Sequence, residues 1–596
     1  MNRKTPKKHS TLSNTLFALK WQFEIAPGYT VFTLMQTVLG DAVTLFEHTF
    51  LTAYIISCVE KKKTLTDVLY FLIPVAIAVF IKLMLNTVFD AYIAPGEREK
   101  IQMKMRMRLY EKAASIELAR YDDSGFYNDF VWAMQKAPDH ITGAVGAFNT
   151  LLSRITVSII AGAYIVSVDA VSLLILVFLI PFTYFSGRAI NKRAMKMQEE
   201  IMPVQRRSDY VSRIFYLADY VKDLKTGNIS PKLEKDLSDS TKEMRAIVKK
   251  RQKPIIALNV ATNSAADLII GGVYLSYLFF KALVLGKFGL GQLLGVYNST
   301  QTLNGKVLTA VSNLSEFQNH SLYIEKLRRF SEAENTMEDN GRFALPACGD
   351  IVFHNVEFTY PGNSEPTLRG VSCSFKKGEK VALVGFNGAG KSTLIKLILR
   401  LYDPTGGEIS YGRENIKSYR IADYRGCFGV LFQDYELIAT DLAHNISADN
   451  KPLDIKRADE ALKKSAFWDK FKTLPNGYET QLTKEFDERG FNPSGGEKQK
   501  IALARVLYAD SDIIILDEPS GALDPIAEYT LNKTVTELSG DKTVIIISHR
   551  LSTTRFADKI YMLANGEIIE SGIHEKLIKQ NGRYAEMFRL QAEKYR

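Results

Sequence analysis

Nine residues, Gly385-Phe-Asn-Gly-Ala-Gly-Lys-Ser-Thr393, match the pattern G-x4-G-K-[ST] and directly follow the apolar run Val381-Ala-Leu-Val384. Such a loop between a strand and a helix binds phosphates. Its glycines let backbone N–H groups approach the oxygens, and the helix presents its positive end. In this reading Gly385, Asn387, Gly388, Ala389, Gly390 and Thr393 form the cradle, Lys391 reaches the β- and γ-phosphates, and Ser392 holds Mg²⁺. Further along, Ile513-Ile-Ile-Leu-Asp-Glu518 is an apolar run ending in two acids. A buried strand there delivers Asp517 to the metal and places Glu518 to polarise an attacking water. Paired acids at a strand end are often only a polar terminus. Behind a phosphate loop in the same chain they read as the second half of a site that cleaves ATP with Mg²⁺.

The elements around these motifs have one character. From about Ser331 an acidic linker with Glu332, Glu334, Glu338 and Asp339 gives way to short β-rich runs alternating with helical ones. Strands are expected at Ile351 to Tyr360, Val381 to Gly385 and Ile513 to Asp517, and helices at Lys391 to Leu401 and Gly495 to Tyr508. That is an α/β nucleotide-binding pattern.

The first half of the 596-residue chain differs. Apolar windows run roughly 27–59, 66–94, 141–167, 169–190, 254–281 and 289–316, each long enough for the ~20 residues of a membrane-crossing helix. The charged, helix-patterned stretches near 95–140 and 191–253 are expected to project into the cytosol. Leu12 to Phe23 is a short amphipathic run suited to the membrane surface. The formal charge of +10 is concentrated beside these windows. Arg98 to Lys112, Arg188 to Arg207 and Lys249 to Lys253 follow the positive-inside pattern, against one dissenting outer loop at Lys61 to Lys63. The basic character therefore points to a bilayer and not to nucleic acid. No cleavable signal follows the basic N-terminus. The four cysteines, Cys58, Cys348, Cys373 and Cys427, have no metal-ligand spacing and read as reduced thiols. The expected domains are an N-terminal segment 1–26, a six-helix α-helical membrane domain 27–320, a linker 321–348 and an α/β P-loop ATPase domain 349–596.

These residues resemble the ABC ATPase family. Asn492-Pro-Ser-Gly-Gly-Glu-Lys-Gln-Lys500 is similar to its signature sequence, LSGGQ, with Ser494, Gly495 and Gly496 matching and Pro493 and Glu497 departing. The resemblance implies that Ser494, Gly495 and Gly496 bind the γ-phosphate held by the opposite subunit, which suits serine and glycine amides at a helix start. It further implies that Tyr360 stacks on adenine and that Gln433 senses Mg²⁺. Ser520 to Asp524 resembles the D-loop, with Gly521 replacing the usual serine and Asp524 at the ATP site. His549 resembles the switch histidine at the γ-phosphate, a catalytic role beside Glu518 and Gln433. Glu488-Arg489-Gly490 is similar to a segment of exporters. Tyr121 to Tyr127 resembles the first coupling helix of peptide and lantibiotic exporters, and Val221 to Asn228 stands where a second would be.

The resemblance thus covers nearly the whole chain and implies a half-transporter of the exporter type. It would pair with a second half, identical or different, to export a substrate across the bacterial cytoplasmic membrane by alternating access. Polar residues in the windows are candidates for the transport cavity: Asp41, His48, Lys82, Asp90, Asn263, Asp267 and Lys306. In windows two, five and six, Lys82-Asn86-Asp90, Asn259-Asn263-Asp267 and Asn298-Thr302-Lys306 recur at i, i+4, i+8 on one helix face. Interhelical hydrogen bonds are the plainer use for such stripes. An amphipathic peptide is the expected substrate. Multidrug or lipid export, or siderophore import on the same fold, are the alternatives. With no protease domain before the first window, the chain is expected not to trim a leader from its substrate.

Overall fold

The computed structural model describes residues 9–593 apart from 336, 340, 347–348, 450, 520, 522–524, 538–541 and 549–553. The chain divides into two compact units. One comprises the residues up to Ser115 and Asn128–Ala333; the other comprises Ile116–Tyr127 and Glu334–Arg596.

The first unit is all helix. Among the described residues four helical stretches are long and apolar enough to cross a membrane: Pro27–Glu60, Leu65–Ser115, Gly125–Val168 and Ser230–Val284. Two further long helices, Ser172–Tyr216 and Leu290–Ser331, contain the fourth and sixth apolar windows. The Leu290–Ser331 stretch is less apolar because Asn298, Thr302, Asn304 and Lys306 interrupt it. Local chemistry sets the helix starts: Pro27 occupies the first turn, where its missing N–H costs nothing, and the Thr64 hydroxyl caps the next helix through Asp67 N. The most apolar part of Leu65–Ser115 buries nothing against protein, leaving Ile73, Ile77, Phe80, Ile81 and Met84 exposed, as a lipid-facing helix does. Facing helices instead meet through a core that includes Leu45, Val157, Ala161, Ile270, Leu293 and Leu303. Where the Leu290–Ser331 helix crosses the first span, any side chain at Gly291 would strike Ser57 and Ala53, so a glycine lets the two backbones approach. Segments of wide-turn helix at Phe46–Leu51, Phe89–Ile93 and Leu268–Tyr274 interrupt the regular ladder beside His48, Asp90 and Asp267.

The second unit contains ten strands among its described residues: β1 Ile351–Phe358, β2 Leu368–Phe375, β3 Lys380–Gly385, β4 Gly406–Tyr411, β5 Glu414–Asn415, β6 Phe428–Leu431, β7 Ile513–Asp517, β8 Thr543–Ile547, β9 Lys559–Ala564 and β10 Glu567–Gly572. The main sheet runs β10-β9-β3-β8-β7-β6, and from β9 to β6 its neighbours are parallel. β7 and β8 are buried along their whole length, which is why each is apolar at four of its five positions. An antiparallel sheet, β2-β1-β4-β5, packs its apolar face into the same core. A helical cluster around Leu442, Leu462, Phe467 and Ile501 carries the Gly495–Ala509 helix. The short segment Ile116–Tyr127 belongs to this unit through named bonds. Tyr402 Oη donates to Asp122 Oδ2 at 2.5 Å, and Glu117 takes Met337 N at 2.9 Å.

Candidate functional site

The site forms at the carboxyl ends of β3 and β7, where a parallel sheet opens its ligand crevice. Here a cleft of about 360 Å³ is lined by Asn387 to Thr393, Gln433, Asp517 and Glu518, among others. The loop after β3 needs its glycines. Gly390 has φ +103°, and a Cβ there would sit 2.6 Å from Leu368 Cδ2. The chain can therefore turn tightly into the Lys391–Ile398 helix and aim its N–H groups into the cleft.

Lys391 is folded onto its own loop. Its Nζ donates to Gly385 O at 2.8 Å and to Phe386 O at 3.0 Å. Burial pushes its pKa down, against the upward pull of Glu518 and Asp517. Asp517 is buried, and its carboxyl is pushed up to about 6, first by burial and then by the adjacent Glu518; Lys391 and a hydrogen bond from Ser392 act the other way. A bound cation would relieve this crowding. Among the described residues no group of three or more His, Cys, Asp or Glu side chains could hold a metal alone. Ser392, Asp517 and Gln433 are instead a partial all-oxygen set, the donor chemistry Mg²⁺ takes when phosphates complete its shell. The residues fit the ion.

Glu518 follows β7 with φ +51°, a left-handed conformation unusual for a glutamate and common at catalytic positions. Its N–H bonds Ile547 O at 2.9 Å, and Gln433 Nε2 donates to its Oε2 at 3.1 Å. Two residues singled out by sequence thus meet in one hydrogen bond. Tyr360 bonds Thr393 Oγ1 through its hydroxyl at 3.1 Å, so the proposed adenine ring partner is tied to the phosphate loop. Its ring meets Tyr402 edge-on at 5.4 Å, and Lys396 lies over both rings. Tyr402 was not singled out from sequence. It leads from this aromatic box to Asp122, and burial followed by the Asp122 bond pushes its phenol well above its ordinary range, so it stays a donor.

Ser494 caps the Gly495–Ala509 helix, and Glu497 completes a reciprocal capping box. Glu497 Oε2 accepts from Ser494 N and from Ser494 Oγ, each at 2.8 Å. Glu497 thus keeps a capping bond that glutamine could also make. Burial raises the Glu497 pKa, but the Ser494 bonds and Lys470 at 3.4 Å outweigh it and hold the carboxyl below its usual range. Lys470, also unmarked in the sequence, offsets a negative charge beside the proposed γ-phosphate seat. Lys470→Ala is expected to raise the KM for ATP about two- to five-fold, the scale of one partly exposed ion pair, and Glu497→Gln in that background should restore it. Steady-state ATPase titrations check both. The positions Ser520, Asp524 and His549, like Cys348, lie outside the described residues.

In the helical unit the candidate cavity residues separate into two groups. Asp41 accepts from Lys306 Nζ at 2.8 Å, Arg154 Nη1 at 2.5 Å and Ser153 Oγ at 2.6 Å. Asp90 accepts from Gln36 at 3.4 Å, and the His48 carbonyl accepts from Asn298 Nδ2 at 2.6 Å. Lys82, Asn263 and Asp267 make no side-chain hydrogen bond or ion pair with the described residues. Arg154 is the participant that sequence reasoning overlooked, although a lone arginine inside the apolar window 141–167 was a signal for it.

Residues 368–521 match the family model described as ABC transporter. The subtilin transport ATP-binding protein SpaT of Bacillus subtilis is 31% identical over 508 residues, covering 82% of this chain and 79% of that protein. The ATP-dependent lipid A-core flippase of Escherichia coli K12 is 32% identical over 339 residues, 56% of this chain and 58% of the flippase. That of Photobacterium profundum is 38% identical over 291 residues and 48% of each chain. The chain therefore spans about half the length of these flippases. Among solved structures, a bacterial Atm1-family ABC exporter with ATP bound superposes with a TM-score of 0.78 over 95% of this chain and 98% of its own, at 22% identity. That likeness establishes the fold.

Proposed function

The chain belongs to the ABC transporter family, whose ATPase domain couples ATP hydrolysis to transport, and from that premise we propose that it is half of an exporter moving an amphipathic, peptidic substrate out across the bacterial cytoplasmic membrane. Its partner is a second copy or a different half-transporter. Two ATPase units then enclose two ATP molecules between phosphate loop and signature loop.

The observation that carries this reading is the crevice at the ends of β3 and β7, where Lys391, Ser392, Asp517, Gln433 and Glu518 converge. Lys391 leaves the Gly385 and Phe386 carbonyls for the β- and γ-phosphates, which supply stronger, charged acceptors. Mg²⁺ held by Ser392 and Asp517 would neutralise phosphate charge when bound. Glu518, steadied by Gln433, orients the attacking water. Ser494, Gly495 and Gly496 contact the γ-phosphate of the partner's site, while His549 supports the γ-phosphate beside Glu518 and Asp524 lies at the ATP site. Tyr402 and Asp122 join the adenine-side aromatic box to the cytosolic segment Ile116–Tyr127, a route by which nucleotide occupancy can reach the helices.

Support for a peptidic cargo comes from Lys82, Asn263 and Asp267 at span depth, unpaired among the described residues, which amides and charges can satisfy and a purely apolar drug cannot. The relative matched over most of this chain is named for subtilin transport. The flippase matches favour a lipid as the second reading. In proteoliposomes, ATP should drive accumulation of a labelled amphipathic peptide, and Asp267→Ala should change peptide stimulation of ATPase more than two-fold. Peptide movement that persists with ADP alone, or ATPase indifferent to peptide and lipid alike, overturns the export reading.

A further inference from the structure

We propose that Arg154 and Lys306, bridged by Asp41, form a seat for an anionic group of the transported amphiphile, a phosphate or a carboxylate. This deepens the export reading and rests on it.

Three helices bring one carboxylate and two cations together. Asp41 lies on Pro27–Glu60, Arg154 on Ser124–Val168 and Lys306 on Leu290–Ser331. Both oxygens of Asp41 are taken, Oδ1 by Lys306 Nζ at 2.8 Å and Oδ2 by Arg154 Nη1 at 2.5 Å with the Ser153 hydroxyl. The cluster therefore carries a net formal charge of one positive unit. Arg154 offers five N–H donors, and among the described residues its buried Nε has no hydrogen-bond partner. Side-chain exposure is 17% for Lys306, 20% for Asp41 and 22% for Arg154, so the group is half-sheltered yet reachable.

Among the described residues no other carboxylate lies within ion-pair distance of Arg154 or Lys306. Asp90, toward the cytosolic side, bonds Gln36 and has Arg98 as its electrostatic neighbour. Glu47 lies about 9 Å of helical rise further out on the Asp41 helix. At 1.5 Å per residue, the three side chains lie roughly 21–28 Å from the outer ends of their helices, inside a hydrocarbon core of ~30 Å and toward its cytosolic face.

A purely structural ion pair needs one cation for one carboxylate. A second cation at this depth adds desolvation cost, and among the described residues no second carboxylate pairs with it. An incoming oxyanion does neutralise it. The Arg154 fork accepts phosphate or carboxylate in two-point geometry, and the Lys306 ammonium adds a point charge. Asp41 keeps the cations together when no ligand is bound and competes with the ligand when one is, which also gives a means of release. A seat near the cytosolic face is where an exporter must take its cargo.

The test measures ATPase stimulation of the full transporter in phosphatidylcholine nanodiscs. Probes are dodecyl phosphate, its trimethylammonium counterpart, and one amphipathic peptide as free acid and as C-terminal amide. Anionic probes should act at about ten-fold lower concentration than their cationic or amidated twins. Lys306→Gln and Arg154→Gln should raise the half-maximal concentration about ten-fold, and Asp41→Asn should lower it several-fold. Opposite signs are the signature, because loss of a structural cluster would move all three together. If Asp41→Asn fails to accumulate, Asp41→Asn with Lys306→Met keeps one cation and should keep the anion preference. Response to dodecyl phosphate alone assigns a lipid-type phosphate; response to the peptide acid over its amide assigns a peptide carboxylate. Equal stimulation by probes of both signs, or shifts in one direction for all variants, overturns the seat and leaves the export reading standing. Absence of any stimulation together with absence of peptide transport overturns both.

Discussion

Glu518→Gln abolishes turnover and keeps nucleotide. Phosphate release should fall by on the order of a hundred- to ten-thousand-fold, the usual contribution of a positioned base, while retained ATP stays at the wild-type level. The amide is nearly isosteric, so the left-handed turn after β7 and the Gln433 contact can persist. What is lost is the charge that orients water. The cradle is separate: Lys391 and Ser392 begin the helix that follows the loop after β3, and Asp517 closes β7. Phosphate release and filter-bound nucleotide, measured on one preparation, give the two readouts. Turnover within a few-fold of wild type would remove Glu518 from the catalytic role.

Ser494→Arg should lower ATPase at least a hundred-fold in the assembled transporter, and it should do so in the partner's site. Ser494 caps the Gly495–Ala509 helix, so the change loses a cap worth about 1 kcal/mol. The larger effect is a bulky cation where the γ-phosphate must enter. In an assembly of two copies, Ser494→Arg on one chain and Lys391→Ala on the other leave one composite site intact and about half the activity. Both changes on one chain damage both sites and leave almost none. Sites complete within single chains would give the reverse pattern, so the comparison decides between the two arrangements.

The strands that carry the chemistry were legible because each motif is contiguous and its physics local. The strand expected at Ile513 to Asp517 has those bounds in the structure, and the helix expected at Gly495 to Tyr508 runs Gly495–Ala509. Two ends differed. The helix expected to reach Leu401 stops at Ile398, where Leu399 and Arg400 close the turn and Arg400 adopts φ +49°. The strand expected to reach Tyr360 ends at Phe358, freeing Tyr360 to bond Thr393. The capping box was also written in the chain, as Ser494-x-x-Glu497.

By itself, then, the sequence determined the phosphate loop, the acidic pair after β7 and the apolar windows of the helical half. Each depends on side-chain type and spacing within one short contiguous segment, where backbone geometry leaves few alternatives. Only the tertiary structure decided which distant groups meet. Asp41, Arg154 and Lys306 come from three helices, and no periodicity along one helix shows that two cations share one carboxylate. The Tyr402–Asp122 bond joins residues 280 positions apart, and Lys470 reaches Glu497 from a separate short helix. Such pairings are selected by the packing of whole elements, because a charge or hydroxyl withdrawn from water must find its partner wherever the fold delivers one.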